Sequence, residues 1–316
     1  MIVQPDLSVK IGSLKLRNPV LAASGTFGYG SEYGRFVDLS EFGGIVTKTL
    51  TPAPWPGNPP PRAVETAAGM LNSIGLQNIG VDVFIREKMP YLSKMNTALI
   101  VNVGGGSIKE FVHVTERLAD TEGIDALEIN MSCPNISGGM DFSTDPRSAG
   151  ELIAALRCLT PRPLIAKLTP NVTDIVQIAQ SVQDAGVDAV SAINTLKGMA
   201  IDISTRRPML GATTGGLSGP AIKPVAVAAV YRIASQVDIP VIGIGGIMCA
   251  EDALEFLVAG ATAVQVGTVN FVEPRAGGTV AKEITDWCVA AGVRCIRDVI
   301  RSIHIPSQED LPCHPS

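Results

Sequence analysis

The residues best equipped for chemistry sit in one short stretch, Asn130-Met131-Ser132-Cys133-Pro134-Asn135, which follows the apolar run Ala126-Leu127-Glu128-Ile129. A thiol flanked by two amides, placed where a buried strand stops, marks Cys133 as a candidate acid/base group or nucleophile. An amide buried without partners costs about 1–3 kcal/mol, so Asn130 and Asn135 need a ligand or a network. The opposed reading, a cysteine packed as a small hydrophobe, accounts for the thiol but not for both asparagines. Two other apolar runs end in lysine: Gly44-Ile45-Val46-Thr47 in Lys48, and Pro163-Leu164-Ile165-Ala166 in Lys167. Each lysine is either solvated charge or a buried cation that awaits an anion. Asn102 closes Thr97-Ala98-Leu99-Ile100-Val101, and Asn194-Thr195 follow Ala189-Val190-Ser191-Ala192-Ile193.

These polar residues recur at one kind of place, the end of a short continuous apolar run, which is the pattern of strands buried on both faces of a parallel sheet. Pro19 to Ala22, Gly44 to Thr47, Thr97 to Val103, Ala126 to Ile129, Pro163 to Lys167, Ala189 to Ile193, Ile239 to Gly243 and Ala263 to Val266 make eight such runs. Helical patterns fall at 108–121, 173–185, 226–236 and 250–259. The expected fold class is therefore α/β, a (β/α)8 TIM barrel, with chemistry carried by loops at the C-terminal mouth. An N-terminal β-hairpin over 9–16 precedes it, and inserted loops cover the mouth. Residues 1–316 are expected to form a single barrel domain, with 306–316 as a flexible tail.

Several loops carry their own signals. Gly245-Gly246 after the seventh run and Gly267-Thr268 after the eighth occupy the usual phosphate site of such barrels, where backbone N–H groups and a helix N-terminus hold the anion. Ser24-Gly25-Thr26-Phe27-Gly28 is either a close backbone approach to a planar ligand or an ordinary connection. Six prolines within 51–62 make a stiff excursion expected to lean over the mouth. Asn72-Ser73-Ile74-Gly75-Leu76 reads either as a cradle for a small polar ring or as a helix N-cap. Gly138 to Pro146 reads as a mobile lid. The insertion from Lys197 to Gly219 is long enough to bear function.

Composition removes whole classes of function. Lys plus Arg total 25 against 30 acidic residues, a net charge of −5, so no broad basic face invites nucleic acid or an anionic membrane. The six cysteines form neither a C-x-x-C pair nor a Cys/His cluster with metal spacing, so no metal site is expected. No export signal or uninterrupted apolar span is evident, which makes a cytoplasmic protein the expectation. Lysines, amides and two phosphate loops with no metal set serve hydrolysis poorly. A phosphorylated planar cofactor with an anionic substrate stacked on it fits better, and flavin mononucleotide supplies both phosphate and plane.

Asn130-x-Ser132-Cys133-Pro134-Asn135, Asn72-Ser73-Ile74-Gly75-Leu76, Gly216-Leu217-Ser218-Gly219-Pro220-Ala221-Ile222-Lys223-Pro224 and Gly243-x-Gly245-Gly246-Ile247 together resemble the class 1 dihydroorotate dehydrogenases, from about Pro5 to about Ile305. Gly25-Thr26-Phe27-Gly28 and Pro59-Pro60-Pro61-Arg62 resemble the 1B subgroup. The resemblance implies FMN-dependent oxidation of dihydroorotate to orotate in pyrimidine biosynthesis. Cys133 would take a proton from C5 while hydride leaves C6 for flavin N5. It implies that Lys48, Asn72, Ser73, Ile74, Gly75, Leu76, Asn130, Asn135, Asn194 and Thr195 hold the substrate. Ser24, Lys48, Thr49, Asn102, Asn130, Lys167, Ile193, Gly219, Gly245, Gly246, Gly267 and Thr268 would hold FMN. A partner subunit with FAD and a [2Fe-2S] cluster would pass electrons to NAD, this chain forming a homodimer within a heterotetramer. The stretch 135–143 departs from the family pattern, which bears on the lid. Competing readings are a self-sufficient, fumarate-using class 1A enzyme, a lysine-based aldolase or isomerase on the same barrel, and a binding subunit without chemistry.

Overall fold

The computed structural model describes residues 4–132 and 142–305. Cys133, Asn135, most of the proposed lid and the tail from Pro306 lie outside the described residues. In chain order the strands are β1 (Val9–Ile11), β2 (Leu14–Leu16), β3 (Val20–Ala22), β4 (Gly44–Val46), β5 (Ala63–Thr66), β6 (Gly69–Asn72), β7 (Ala98–Val103), β8 (Ala126–Asn130), β9 (Leu164–Leu168), β10 (Ala189–Ala192), β11 (Leu196–Gly198), β12 (Ile201–Asp202), β13 (Arg207–Pro208), β14 (Gly215–Ser218), β15 (Val241–Ile244) and β16 (Ala263–Val266). The α-helices are α1 (Val81–Glu87), α2 (Met89–Leu92), α3 (Ile108–Ala119), α4 (Pro146–Arg157), α5 (Ile175–Asp184), α6 (Lys223–Ala234), α7 (Ala250–Ala259) and α8 (Ala276–Ala290).

Eight of the strands close a parallel barrel in the order β3, β4, β7, β8, β9, β10, β15, β16, with β16 pairing back onto β3 through Val264↔Val20 and Val266↔Ala22. These are the eight apolar runs of the sequence. Seven of them are buried at every position, as strands packed on both faces must be, and in β7 only Ala98 is half-buried. Helices α3 to α7 pack between and around the later strands, and side-chain acceptors placed just ahead of their apolar patterns start three of them. Ser107 accepts from Glu110 N–H, Asp145 from Ser148 N–H and Asp174 from Val176 N–H. The crossover from β3 to β4 carries only a 3-10 turn at Leu39–Glu41. The hairpin β1–β2 buries Val9, Ile11 and Leu16, and its turn at Gly12 abuts Asp188, just ahead of β10.

A second sheet was not legible in the sequence. Strands β11, β14, β6 and β5 form a four-stranded antiparallel sheet in which Asn72 pairs with Gly216 and Leu217 with Leu71. Asn72 therefore closes a strand, and the N-cap alternative for Asn72 or Ser73 is excluded: the next helix begins at Val81 behind Gly80. The end of the expected lid is likewise anchored. Phe142 is buried edge-on against Phe111, with centroids 5.9 Å apart, and Asp145 caps α4.

Candidate active site

The strand ends deliver their polar groups to one end of the barrel. β4 runs into Lys48, whose backbone N–H donates to the Gly28 carbonyl at 2.8 Å, so the glycine turn after β3 and this lysine are neighbours. Lys48 makes no ion pair among the described residues. Burial, with a smaller push from the nearby Arg62 guanidinium, draws its ammonium below the ordinary lysine value. A half-buried cation without a counter-charge is a place for an anion. Beside it, Pro54, Trp55 and Pro56 of the proline excursion join Gly28, Tyr29, Gln77 and Asn78 around a cleft of about 530 Å³, so the excursion does lean over this part of the mouth. The excursion is tied down by Asn58, which donates from its backbone to Ile74 carbonyl at 3.0 Å and from its side chain to Ser73 carbonyl at 2.9 Å. The turn 72–76 is thereby presented as a fixed edge.

Across the mouth, Asn194 Nδ2 donates to Asn130 Oδ1 at 3.3 Å, while Asn194 Oδ1 accepts from Thr195 N–H at 2.8 Å. Thr195 meets Gly216 of β14 so closely that a Cβ there would lie 2.1 Å from its hydroxyl. Below this layer Lys167 and Asn102 both reach Glu128, at 3.5 Å and 2.7 Å. Asn102, Lys167 and Asn130 are buried, and the Asn102 Oδ1 and Ser73 Oγ atoms have no hydrogen-bond partner among the described residues. Buried polar atoms left open in this way suit a ligand that brings its own donors.

The glycine loops form the remaining wall. Gly219, Gly245 and Gly246 have φ of 93°, 134° and 73°, the left-handed region that side chains avoid. A Cβ on Gly246 would stand 2.8 Å from the Gly219 carbonyl oxygen and 3.0 Å from the Lys223 nitrogen, so the loop after β15 is pressed against the start of α6. Thr268 donates to Ser218 Oγ at 2.8 Å, which ties the loop after β16 to the same corner. Bare backbone converging on a helix N-terminus is an anion site of the kind a phosphate occupies. Lys223 is not its counter-charge. That ammonium is clamped between Asp252 at 2.6 Å and Glu255 at 2.7 Å, joining α6 to α7. Phosphate cradle, open amide and unpaired cation all fit a phosphorylated, hydrogen-bonding planar group such as FMN.

Of the residues expected in the site, Lys48, Thr49, Asn72 to Leu76, Asn102, Asn130, Lys167, Ile193, Asn194, Thr195, Gly219, Gly245, Gly246, Gly267 and Thr268 fall at strand ends or on the covering sheet and its turn. Ser24 sits in the turn after β3. Glu128, Ser191 and Gln265 were missed. Each is a polar residue in the interior of a barrel strand, flanked on both sides by apolar residues, and that oddity was the available signal.

A closed parallel barrel whose mouth combines a phosphate cradle, lysines and amides defines the class: a (β/α)8 barrel built for a phosphorylated cofactor. The family model described as dihydroorotate dehydrogenase matches residues 6–287. The chain belongs to the dihydroorotate dehydrogenase family, and so to the oxidoreductases. It is 52% identical over 305 residues to the dihydroorotate dehydrogenase B (NAD(+)) catalytic subunit of Geotalea daltonii, covering 96% of this chain and 100% of that one. Against the protein of the same name from Trichlorobacter lovleyi it is 54% identical over 302 residues, with 95% and 99% covered. The crystal structure of a dihydroorotate dehydrogenase (DHODH) from Eimeria tenella in complex with ferulenol superposes with a TM-score of 0.78 at 25% identity, covering 95% of this chain and 89% of that one. No helix among the described residues is long and apolar enough to cross a membrane.

Proposed function

We propose that this chain, acting as one barrel unit, oxidises dihydroorotate to orotate with FMN and hands the electrons to NAD through a separate subunit carrying FAD and a [2Fe-2S] cluster. The observation that carries the reading is the presence, at one mouth, of a half-buried Lys48 with no ion-pair partner among the described residues and a bare-backbone phosphate corner formed by Gly219, Gly245 and Gly246. Near-full-length identity above 50% to NAD(+)-linked catalytic subunits supports the choice of acceptor.

In this reading Lys48 neutralises the substrate carboxylate, and Asn130, Asn194, Thr195, Asn135 and the Asn72 to Leu76 turn hold its ring amides. Cys133 removes the C5 proton. A thiol has an ordinary pKa near 8.5, so modest activation suffices near neutral pH. Ser24, Lys48, Thr49, Asn102, Asn130, Lys167, Ile193, Gly219, Gly245, Gly246, Gly267 and Thr268 hold FMN, which supplies the acceptor for the hydride leaving C6.

An absorption spectrum taken before and after adding dihydroorotate tests the proposal. The purified chain is expected to be yellow and to bleach on addition, and to reduce NAD only when mixed with its partner. A colourless chain, or one that does not bleach, overturns the reading. Efficient NAD reduction by the chain alone, or rapid turnover with fumarate, overturns the partner.

A further inference from the structure

Glu128 is fully buried in the middle of β8, where barrel interiors are ordinarily filled by branched apolar side chains. Its two oxygens accept four hydrogen bonds. Asn102 Nδ2 at 2.7 Å and Lys167 Nζ at 3.5 Å reach Oε1; Ser191 Oγ at 3.0 Å and Gln265 Nε2 at 2.6 Å reach Oε2. Gln265 lies on β16, four strands from β8 in either direction round the barrel, so the carboxylate bridges the barrel from wall to opposite wall. The described mechanism does not use this group.

A carboxylate without a proton only accepts, so it dictates which way its amide partners turn. Asn102 and Gln265 point their NH2 groups inward, and their carbonyl oxygens are left buried with no partner among the described residues. Lys167 spends one long contact on Glu128 and makes no other hydrogen bond among the described residues. We infer that Glu128 is a positioning residue for the flavin floor. It locks Asn102 as an acceptor toward the ligand, anchors Lys167, and tempers the positive charge that Lys167 presents to the reduced flavin. The inference rests on the FMN reading given above.

The test compares the flavin midpoint potential of wild-type holoenzyme with that of Glu128→Gln. Loss of one buried negative charge beside Lys167 favours the more negative, reduced form. The expected shift is positive, tenfold or more in the reduced-to-oxidised ratio, which is about 30 mV for a two-electron couple. An unmoved or negative shift in Glu128→Gln, with only a lowered melting temperature, overturns the inference and makes Glu128 a brace. Gln265→Leu, which strips one donor from the far oxygen without touching the mouth, is the second probe should the first variant not fold. It leaves the carboxylate less neutralised, so its potential is expected to move negative, and an unmoved or positive value overturns the inference. A wild-type chain that binds no flavin overturns the functional reading and this one together. A flavin-loaded wild type with unmoved variants overturns this one alone.

Discussion

Among single residues, Cys133 and Lys48 carry the sharpest expectations. Cys133→Ala should cut dihydroorotate-dependent flavin reduction by about 10²-fold or more while leaving bound FMN in place, as a positioned base contributes about 10²–10⁴-fold; stopped-flow absorbance measures it. For Lys48 the argument runs through protons. Its folded value is drawn below the ordinary one, so between the two the unfolded chain holds more protons and the ligand-free fold gains stability as pH rises. An anion against the ammonium reverses that shift, so orotate binding takes up a proton in the same alkaline window and weakens as pH climbs. Titration calorimetry in two buffers of different ionisation enthalpy should show this uptake. Lys48→Met should abolish it and weaken orotate about tenfold or more. Lys48, Lys167 and Asn102 were legible because polar residues ending apolar runs are conspicuous. Glu128 and Gln265 were not read, because one polar residue inside an apolar run looks like pattern noise until the strand is known to face a barrel axis.

Elements show a different division. Eight short apolar runs gave eight barrel strands because burial on both faces leaves no alternation to confuse with a helix. α7 falls at 250–259 as expected, whereas α6 starts at Lys223, ahead of the expected 226, because Pro224 is accommodated in a helix's first turn. The covering sheet escaped notice because its register is set by contacts between distant loops, and Asn72 and Gly216 stand 144 residues apart. At this scale Gly246→Ala is the informative substitution. The left-handed backbone alone costs about 1–2 kcal/mol for a side chain, and the methyl would press on the Gly219 carbonyl. The expected outcome is purified protein that has lost most of its flavin, scored by the 450 nm absorbance per chain, with a melting temperature lowered by a few degrees.

The whole molecule divides into a frame and a cover. The parallel barrel is closed by eight strands in chain order, while the mouth is roofed by a sheet assembled from two excursions, one between β4 and β7 and one between β10 and β15. The roof has only half-buried and exposed residues along β5, β11 and β14, with Leu71 of β6 its one buried side chain. Beyond the half-buried Leu196 and Leu217, which pack against the barrel core, it therefore has little apolar area to hold it down, and polar links such as Thr268 to Ser218 and Ala221 N–H to the Ala68 carbonyl complete its attachment. Hydrogen exchange should separate the two, with amides of β5, β6 and β14 exchanging well before those of β8 and β9 in the free chain and slowing once FMN and orotate are added. Equal protection of both sheets in the free chain would contradict this. Because the roof's two halves come from opposite sides of the chain, neither can be deleted, shortened or swapped for a homologous loop by itself. The unit of inheritance at this mouth is the pair, and any recombined version must take both excursions from the same parent.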